Sequence, residues 1–365
     1  MIPFGDLRAE FGEIGPEIHG AVNRVLESGW FVLGEEVRAF EEEFSSFVGV
    51  NHAVGVGNGT DAIQLALQAL GVGAGDEVIT AANTCVPTLT GICATGAVPR
   101  LVDVTADTLV MDYGSLEKAI TDRTKAIVPV HLYGHPCPMS SIMAIAGNKN
   151  LVVVEDCAQA HGATLGGKQC GTFGHTAAFS FYPSKNLGAY GDGGAVVTSD
   201  QAVADKVTSL RNYGQTERYY HDDPGVNSRL DEIQAAILRT KLPYLKKWNE
   251  RRRELASRYT EGLKNTPLTI PVEEPGAESS WHLYVVRTSN RDGLQQHLKD
   301  KGIGTVLHYP VPIHLQKAFA AMGYVKGDFP ASEQACDEVL SLPLYPYMPE
   351  EHVDTVVKAI REFFG

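Results

Sequence analysis

Apolar positions in this chain fall into two periods. Near the N-terminus they recur every three to four residues. Residues 17–27 place Ile18, Ala21, Val22 and Val25 on one face, and Gly29 stops the run. Residues 35–47 repeat the pattern with Val37, Phe40, Phe44 and Phe47. Both stretches predict amphipathic helices. Short β-branched runs follow at 52–56, 76–80, 98–104, 124–132, 151–155, 176–182 and 194–198. Several of the stretches between them, such as Thr60–Leu70 and Leu116–Ile120, read as helical. Leu151 to Val154 are apolar at successive positions, as a strand buried on both faces should be. The alternation predicts an α/β fold with a mostly parallel seven-stranded sheet covered by helices. Ligands in such sheets bind outside the carboxyl ends of the strands.

After residue 230 the pattern changes. Leu230–Leu242 and Lys246–Leu263 predict two helices separated at Pro243. A strand at 281–288, a helix at 292–301, a strand near 303–309 and a final helix at 350–364 follow. This divides the chain into a large domain over 1–245 and a smaller C-terminal α/β domain over 246–365. The length of 365 residues, 44% of them hydrophobic, is enough for two such cores.

Charge narrows the partners. A net charge of −13 argues against general binding of nucleic acid or anionic membrane. It leaves room for a small anion held by backbone N–H groups and local cations. The N-terminus carries acidic residues and no apolar signal core, and no apolar run approaches a membrane span. Cys85, Cys93, Cys137, Cys157, Cys170 and Cys336 are scattered without paired metal-ligand spacing. A reduced, cytoplasmic protein without a metal site is the expectation.

Three segments carry candidate chemistry. The first is Gly57-Asn58-Gly59-Thr60-Asp61-Ala62, between a strand and a helix. It matches a G-x-G-x-x-A dinucleotide fingerprint, and Asp76 stands about 20 residues on, where a ribose acid would. That makes an NAD-dependent oxidoreductase a competitor. Asp76, however, reads as part of a turn before a strand, not the end of one. The same glycines suit a single phosphate at a helix N-terminus, with Gly59 allowing close approach and Thr60 offering a hydroxyl. The second segment places Asp156 at the carboxyl end of the Leu151–Glu155 run. A carboxylate there can pair with a protonated ring nitrogen and make a pyridine ring a better electron sink. The third places Lys185 between an apolar run and a glycine-rich turn, with Ser180 and Ser184 nearby. In a partly dry site its amine becomes a nucleophile toward an aldehyde. Phosphate turn, ring-nitrogen acid and lysine, in that order, suit a pyridoxal-phosphate enzyme.

The chain resembles the DegT/DnrJ/EryC1/StrS sugar aminotransferases, a fold type I group of pyridoxal-phosphate-dependent transferases. The resemblance runs over nearly the whole chain and includes residues 28–34, 57–62, 155–162, 180–188, 191–194, 211–214, 227–235 and 308–314. It implies that Lys185 is the internal Schiff-base lysine, Asp156 the partner of the pyridine nitrogen and Gln159 the neighbour of the ring hydroxyl. Gly59, Thr60 and Ser180 would bind the phosphate of pyridoxal 5'-phosphate. Asn227 would reach the phosphate site of the opposite subunit in a homodimer. Family members that dehydrate sugars carry His at the lysine position, so Lys185 favours transamination. Many members stack an aromatic residue on the ring at the position of Cys85. A thiol has less area and no π-face, so the contact is softer there or another side chain covers the ring.

The resemblance further implies ping-pong transfer from L-glutamate to a nucleotide-linked keto sugar, with pyridoxamine 5'-phosphate as the intermediate form. Residues 28–34 and the His308-Tyr309-Pro310 segment look more like the branch that aminates C3 of a dTDP-3-keto-6-deoxyhexose. The alternative is a C4 aminotransferase acting on a UDP-, dTDP- or GDP-linked 4-keto sugar, and a non-catalytic cofactor-binding regulator is more distant. Tyr182, Tyr220, His308 and Tyr309 are the candidate sugar or diphosphate contacts. Arg211 either faces an anion or caps a helix, and Trp30 is expected to pack.

Overall fold

The computed structural model describes residues 1–365. All seven expected strands form, as β1 (His52–Val56), β2 (Glu77–Ala81), β3 (Val98–Val102), β4 (Thr124–Val128), β5 (Val152–Asp156), β6 (Thr176–Ser180) and β7 (Gly194–Thr198). They join one sheet in the order β1–β7–β6–β5–β4–β2–β3. The pairs from β6 across to β3 are parallel, and β7 runs antiparallel to both β6 and β1. Val153, Val154, Ile127 and Val128 are fully buried, which explains their unbroken apolar runs.

This topology removes the scaffold for the oxidoreductase. A dinucleotide site needs β1 to start a parallel βαβ unit, but β1 lies at the sheet edge against an antiparallel neighbour. Asp76 is held in its turn, accepting from the Gly73 N–H at 2.9 Å.

The first helix is longer than its periodicity suggested. It spans Leu7–Ser28 with Pro16 inside, capped by Asp6, which accepts from the Arg8 and Ala9 N–H groups. Gly12, Gly15 and Pro16 read as breakers. Pro16 is exposed while Ile14 and Ile18 on either side are buried, so the buried stripe continues past it. The strand expected near 303–309 does not form. Isolated bridges, Ile2 to Ile303 and Val306 to Ser341, replace it. Gly304 lets the N-terminal segment approach so closely that a Cβ there would lie 2.9 Å from the Phe4 nitrogen.

Helices Glu232–Lys241 and Leu245–Leu263 follow the sheet, joined by a 3-10 turn at Leu242–Tyr244 that contains Pro243. The second core gathers Leu255, Tyr259, Tyr284, Leu340, Val353 and Ile360, and Ile2 returns to join it. Its two-stranded sheet pairs β8 (Tyr284–Arg287) antiparallel with β9 (Val339–Leu342). The final helix spans Glu350–Phe364. No helix is long and apolar enough to cross a membrane.

Candidate active site

Strand ends and helix starts converge on one cleft of about 650 Å³. Asp156 ends β5 and Ser180 ends β6. Gly59 opens the helix Gly59–Ala69, and Cys85 precedes the helix Val86–Ala94. Gly59, Thr60, Cys85, Asp156, Gln159, Ser180, Tyr182, Lys185, His308 and Tyr309 all line this cleft. Ten of the twelve residues singled out from the sequence are therefore brought together. Asn227 and Tyr220 are not among its walls; both are exposed, and Tyr220 sits 67% exposed on a short hairpin.

The phosphate turn is built by close packing. Asn58 caps its helix, its Oδ1 accepting from the Asp61 N–H at 2.9 Å. The N–H groups of Gly59 and Thr60, at the start of the helix, have no acceptor one turn back. Gly59 is required by contact with β6: a Cβ there would lie 2.6 Å from Ser180 Cβ. Across the same junction, a Cβ on Gly194 would lie 2.4 Å from the Asn58 carbonyl. Ser228 adds a tie, accepting from the Gly57 N–H and donating to Asp61.

Asp156 is 4% exposed. Its Oδ2 accepts from Thr88 Oγ1 at 2.9 Å and its Oδ1 from the Ala158 N–H at 3.1 Å. Burial pushes its carboxyl above the usual range, against the opposing pull of these hydrogen bonds and of Lys185. Burial likewise pulls the Lys185 amine down, with Asp156 and Cys85 working in the other direction. Gln159 is fixed on both sides. Its Oε1 accepts from the Tyr133 N–H at 2.6 Å and its Nε2 donates to Tyr309 Oη at 3.2 Å. Tyr133 itself holds φ at 61° and donates to the His308 carbonyl. His308 is bonded to Ser341 Oγ at 2.8 Å, and burial lowers it to about 4, so it stays neutral.

Sequence reasoning missed Thr88, Tyr133 and His282. Thr88 holds Asp156 from the first turn of its helix, a position that carries no motif. His282 lines the cleft from outside the large sheet, bonded to Asn186 at 3.1 Å. Arg211 proves structural: it is buried and donates to Glu41 and to the Gly55 carbonyl, joining helix Glu35–Val48 to β1. Trp30 does not pack as expected; it is 63% exposed, with its indole N–H on the Val32 carbonyl.

His131, Glu155 and Cys157 also converge, with donor atoms close enough for a metal. The donors of His131 and Glu155 are already committed. Glu155 accepts from the Gly171, Phe173 and Gly174 N–H groups and bonds His131 at 3.0 Å. His131 Nδ1 accepts from the Cys137 N–H. The cluster locks the backbone behind Asp156.

Residues 13–361 match the model of the DegT/DnrJ/EryC1/StrS aminotransferase family. The chain belongs to this family. Its members are sugar aminotransferases that use pyridoxal phosphate, so this chain is an enzyme of that class. It is 48% identical to the dTDP-3-amino-3,6-dideoxy-alpha-D-galactopyranose transaminase of Aneurinibacillus thermoaerophilus, over 100% of this chain and 99% of that protein. It is 47% identical to the dTDP-3-amino-3,4,6-trideoxy-alpha-D-glucose transaminase of Streptomyces venezuelae, over 99% and 96%. The fold matches the crystal structure of S. venezuelae DesV in complex with a ketimine intermediate, with a TM-score of 0.97 over 99% of this chain and 98% of that one at 47% identity.

The cleft fits the cofactor. A glycine-lined helix start, a buried carboxylate and a partly dehydrated lysine stand at three of its walls. Cys85, Gln159 and Tyr309 line the same cleft, with Gln159 donating to Tyr309 Oη.

Proposed function

We propose that this protein transfers an amino group from L-glutamate to a dTDP-linked 3-keto-6-deoxyhexose, at C3. The observation that carries the reading is Lys185 and Asp156 on the walls of one cleft with the Gly59–Thr60 helix start. The choice of C3 is supported by two relatives, at 47% and 48% identity, named for 3-amino sugars.

When bound, pyridoxal phosphate supplies an electrophilic carbon for the donor amine and an electron sink for the carbanion. The residues of the chain do the rest. Gly59, Thr60 and Ser180 hold the phosphate. Asp156, its carboxylate fixed by Thr88 and the Ala158 N–H, would pair with the ring nitrogen and favour its proton. Gln159, held by Tyr133 and Tyr309, faces the ring hydroxyl. Lys185 moves the proton between the donor's α-carbon and the cofactor, and its lowered basicity supports that exchange. Tyr182, His308 and Tyr309 contact the sugar or diphosphate from the cleft. Neutral His308 fits a hydrogen-bonding role there better than a charge.

Asn227 and Tyr220 belong to a second part of the reading. Both are exposed, and so are Trp30, Phe31, Val32 and Tyr219. A homodimer would cover such apolar side chains and carry Asn227 toward the partner's phosphate site.

The test is a panel of dTDP- and UDP-linked 3-keto and 4-keto sugars with glutamate as donor, with products assigned by NMR. Amination of the 4-keto sugars alone would overturn the C3 reading. Lys185→Ala should retain the fold and lose at least about 10²–10⁴-fold in rate. A variant that keeps parental turnover removes Lys185 from the chemistry.

A further inference from the structure

A second chamber of about 400 Å³ lies beside the cleft, and the two share Ser184, Lys185, His282 and His308 as walls. Aromatic and apolar side chains make up much of the remainder, among them Phe4, Trp248 and Tyr345. One wall does not fit a purely structural chamber. Arg252 is 6% exposed, and its Nη1 donates to the carbonyls of Trp281, His282 and Leu344, the last at 2.9 Å. Its Nε has no partner at all. Carbonyl oxygens do not neutralise a guanidinium, and burying an uncompensated charge is costly. Burial accordingly lowers Arg252 to about 10, with Glu10 the only opposing influence.

The two carboxylates on the chamber walls are already occupied. Asp6 caps the first helix through two backbone N–H groups. Glu10 pairs with the buried Lys241 at 2.6 Å. Arg252 therefore stands in the chamber as a buried cation with no carboxylate paired to it, and Lys185 lines the same chamber where it meets the cleft. We infer that Arg252 anchors the distal carboxylate of a dicarboxylic amino donor, seated in this chamber while its amine reaches Lys185. The inference rests on the proposed glutamate donor. A sugar nucleotide fits less well here. Its diphosphate would bring at least two charges beside Asp6 and Glu10, and the wider cleft remains for it. His282 lines both cavities, and its carbonyl accepts from Arg252. Lys185 stands on the border of chamber and cleft while Arg252 lines the chamber alone, so an amine at Lys185 leaves the far end of the donor for Arg252.

The experiment is single-turnover loss of visible absorbance in the cofactor-loaded enzyme, with glutamate and with alanine, which lacks the distal carboxylate. Arg252→Gln should raise the half-saturating glutamate concentration by about tenfold or more. Its response to alanine, and the return half-reaction with keto sugar, should stay as in the parent. Arg252→Lys should recover part of the glutamate preference. Equal losses with glutamate and alanine would mean that Arg252 only supports the fold, and would overturn the inference. A parent that glutamate does not bleach overturns the donor assignment itself and the inference with it. Should Arg252→Gln fail to fold, a crystal structure of the parent with glutarate decides: a carboxylate on Arg252 supports the inference, and glutarate confined to the wide cleft refutes it.

Discussion

Lys185 and Asp156 each sit where burial works against their charge. For Asp156 this has a sign that can be measured. Its carboxyl is raised in the fold above the ordinary value of 3.8. The folded carboxylate therefore costs stability as pH rises from about 3.8 through the raised value, and costs nothing when protonated in both states. Cofactor-free Asp156→Asn should be more stable than the cofactor-free parent at pH 7, with the gap closing below pH 4 in thermal melts. The same change should lower turnover by about 10²–10³-fold, the loss expected on breaking a buried charge pair. A variant less stable than its parent at neutral pH would show that Asp156 stabilises the empty site. Site residues that oppose stability in this way are a common cost of function.

The elements position these side chains by touching one another. The helix Gly59–Ala69 reaches the end of β6 only because residue 59 lacks a Cβ. Gly59→Ala should push the helix start away from Ser180 and weaken cofactor phosphate binding by about tenfold or more. It should cost about 1–3 kcal/mol of stability, as overpacking does. Cofactor titration by absorbance checks the first figure and urea unfolding the second. Unchanged cofactor affinity would remove this junction from the phosphate site. Several of the elements were legible in the chain. The seven β-branched runs became the seven strands, because buried parallel strands leave a continuous apolar signature. Apolar periodicity marked the first helix only over 17–27, whereas the helix starts at Leu7 and passes Pro16 with its ring exposed. The strand near 303–309 did not form because it meets its neighbours only in single bridges, Ile2 to Ile303 and Val306 to Ser341, and not in a run of successive pairs.

At the scale of the molecule, three buried histidines set the response to acid. Burial lowers His135 to about 4, His161 to about 3, and His282 well below the ordinary 6.5. Each stays neutral in the fold and takes up a proton once unfolded below pH 6.5. Their contribution is complete above that pH and is lost as pH falls toward their folded values. His308, lowered to about 4, acts in the same way, so at about 1.4 kcal/mol per pH unit each the four groups remove roughly 5 kcal/mol per unit near pH 5. Urea midpoints at pH 7, 5.5 and 4.5 should show this steepening, and a flat profile would mean that these rings do not stay neutral.

The sequence alone determined the α/β alternation, the order of phosphate turn, acid and lysine, and the family. These are local or linear properties: period, spacing and residue type. The tertiary structure decided what faces these groups. Thr88 beneath Asp156, Tyr133 and Tyr309 on either side of Gln159, and Arg252 beyond Lys185 come from distant segments. Their roles depend on which strand ends and helix starts meet. No period or motif carries that information, because a hydrogen bond across 68 or 150 residues leaves no mark on the neighbours of either partner.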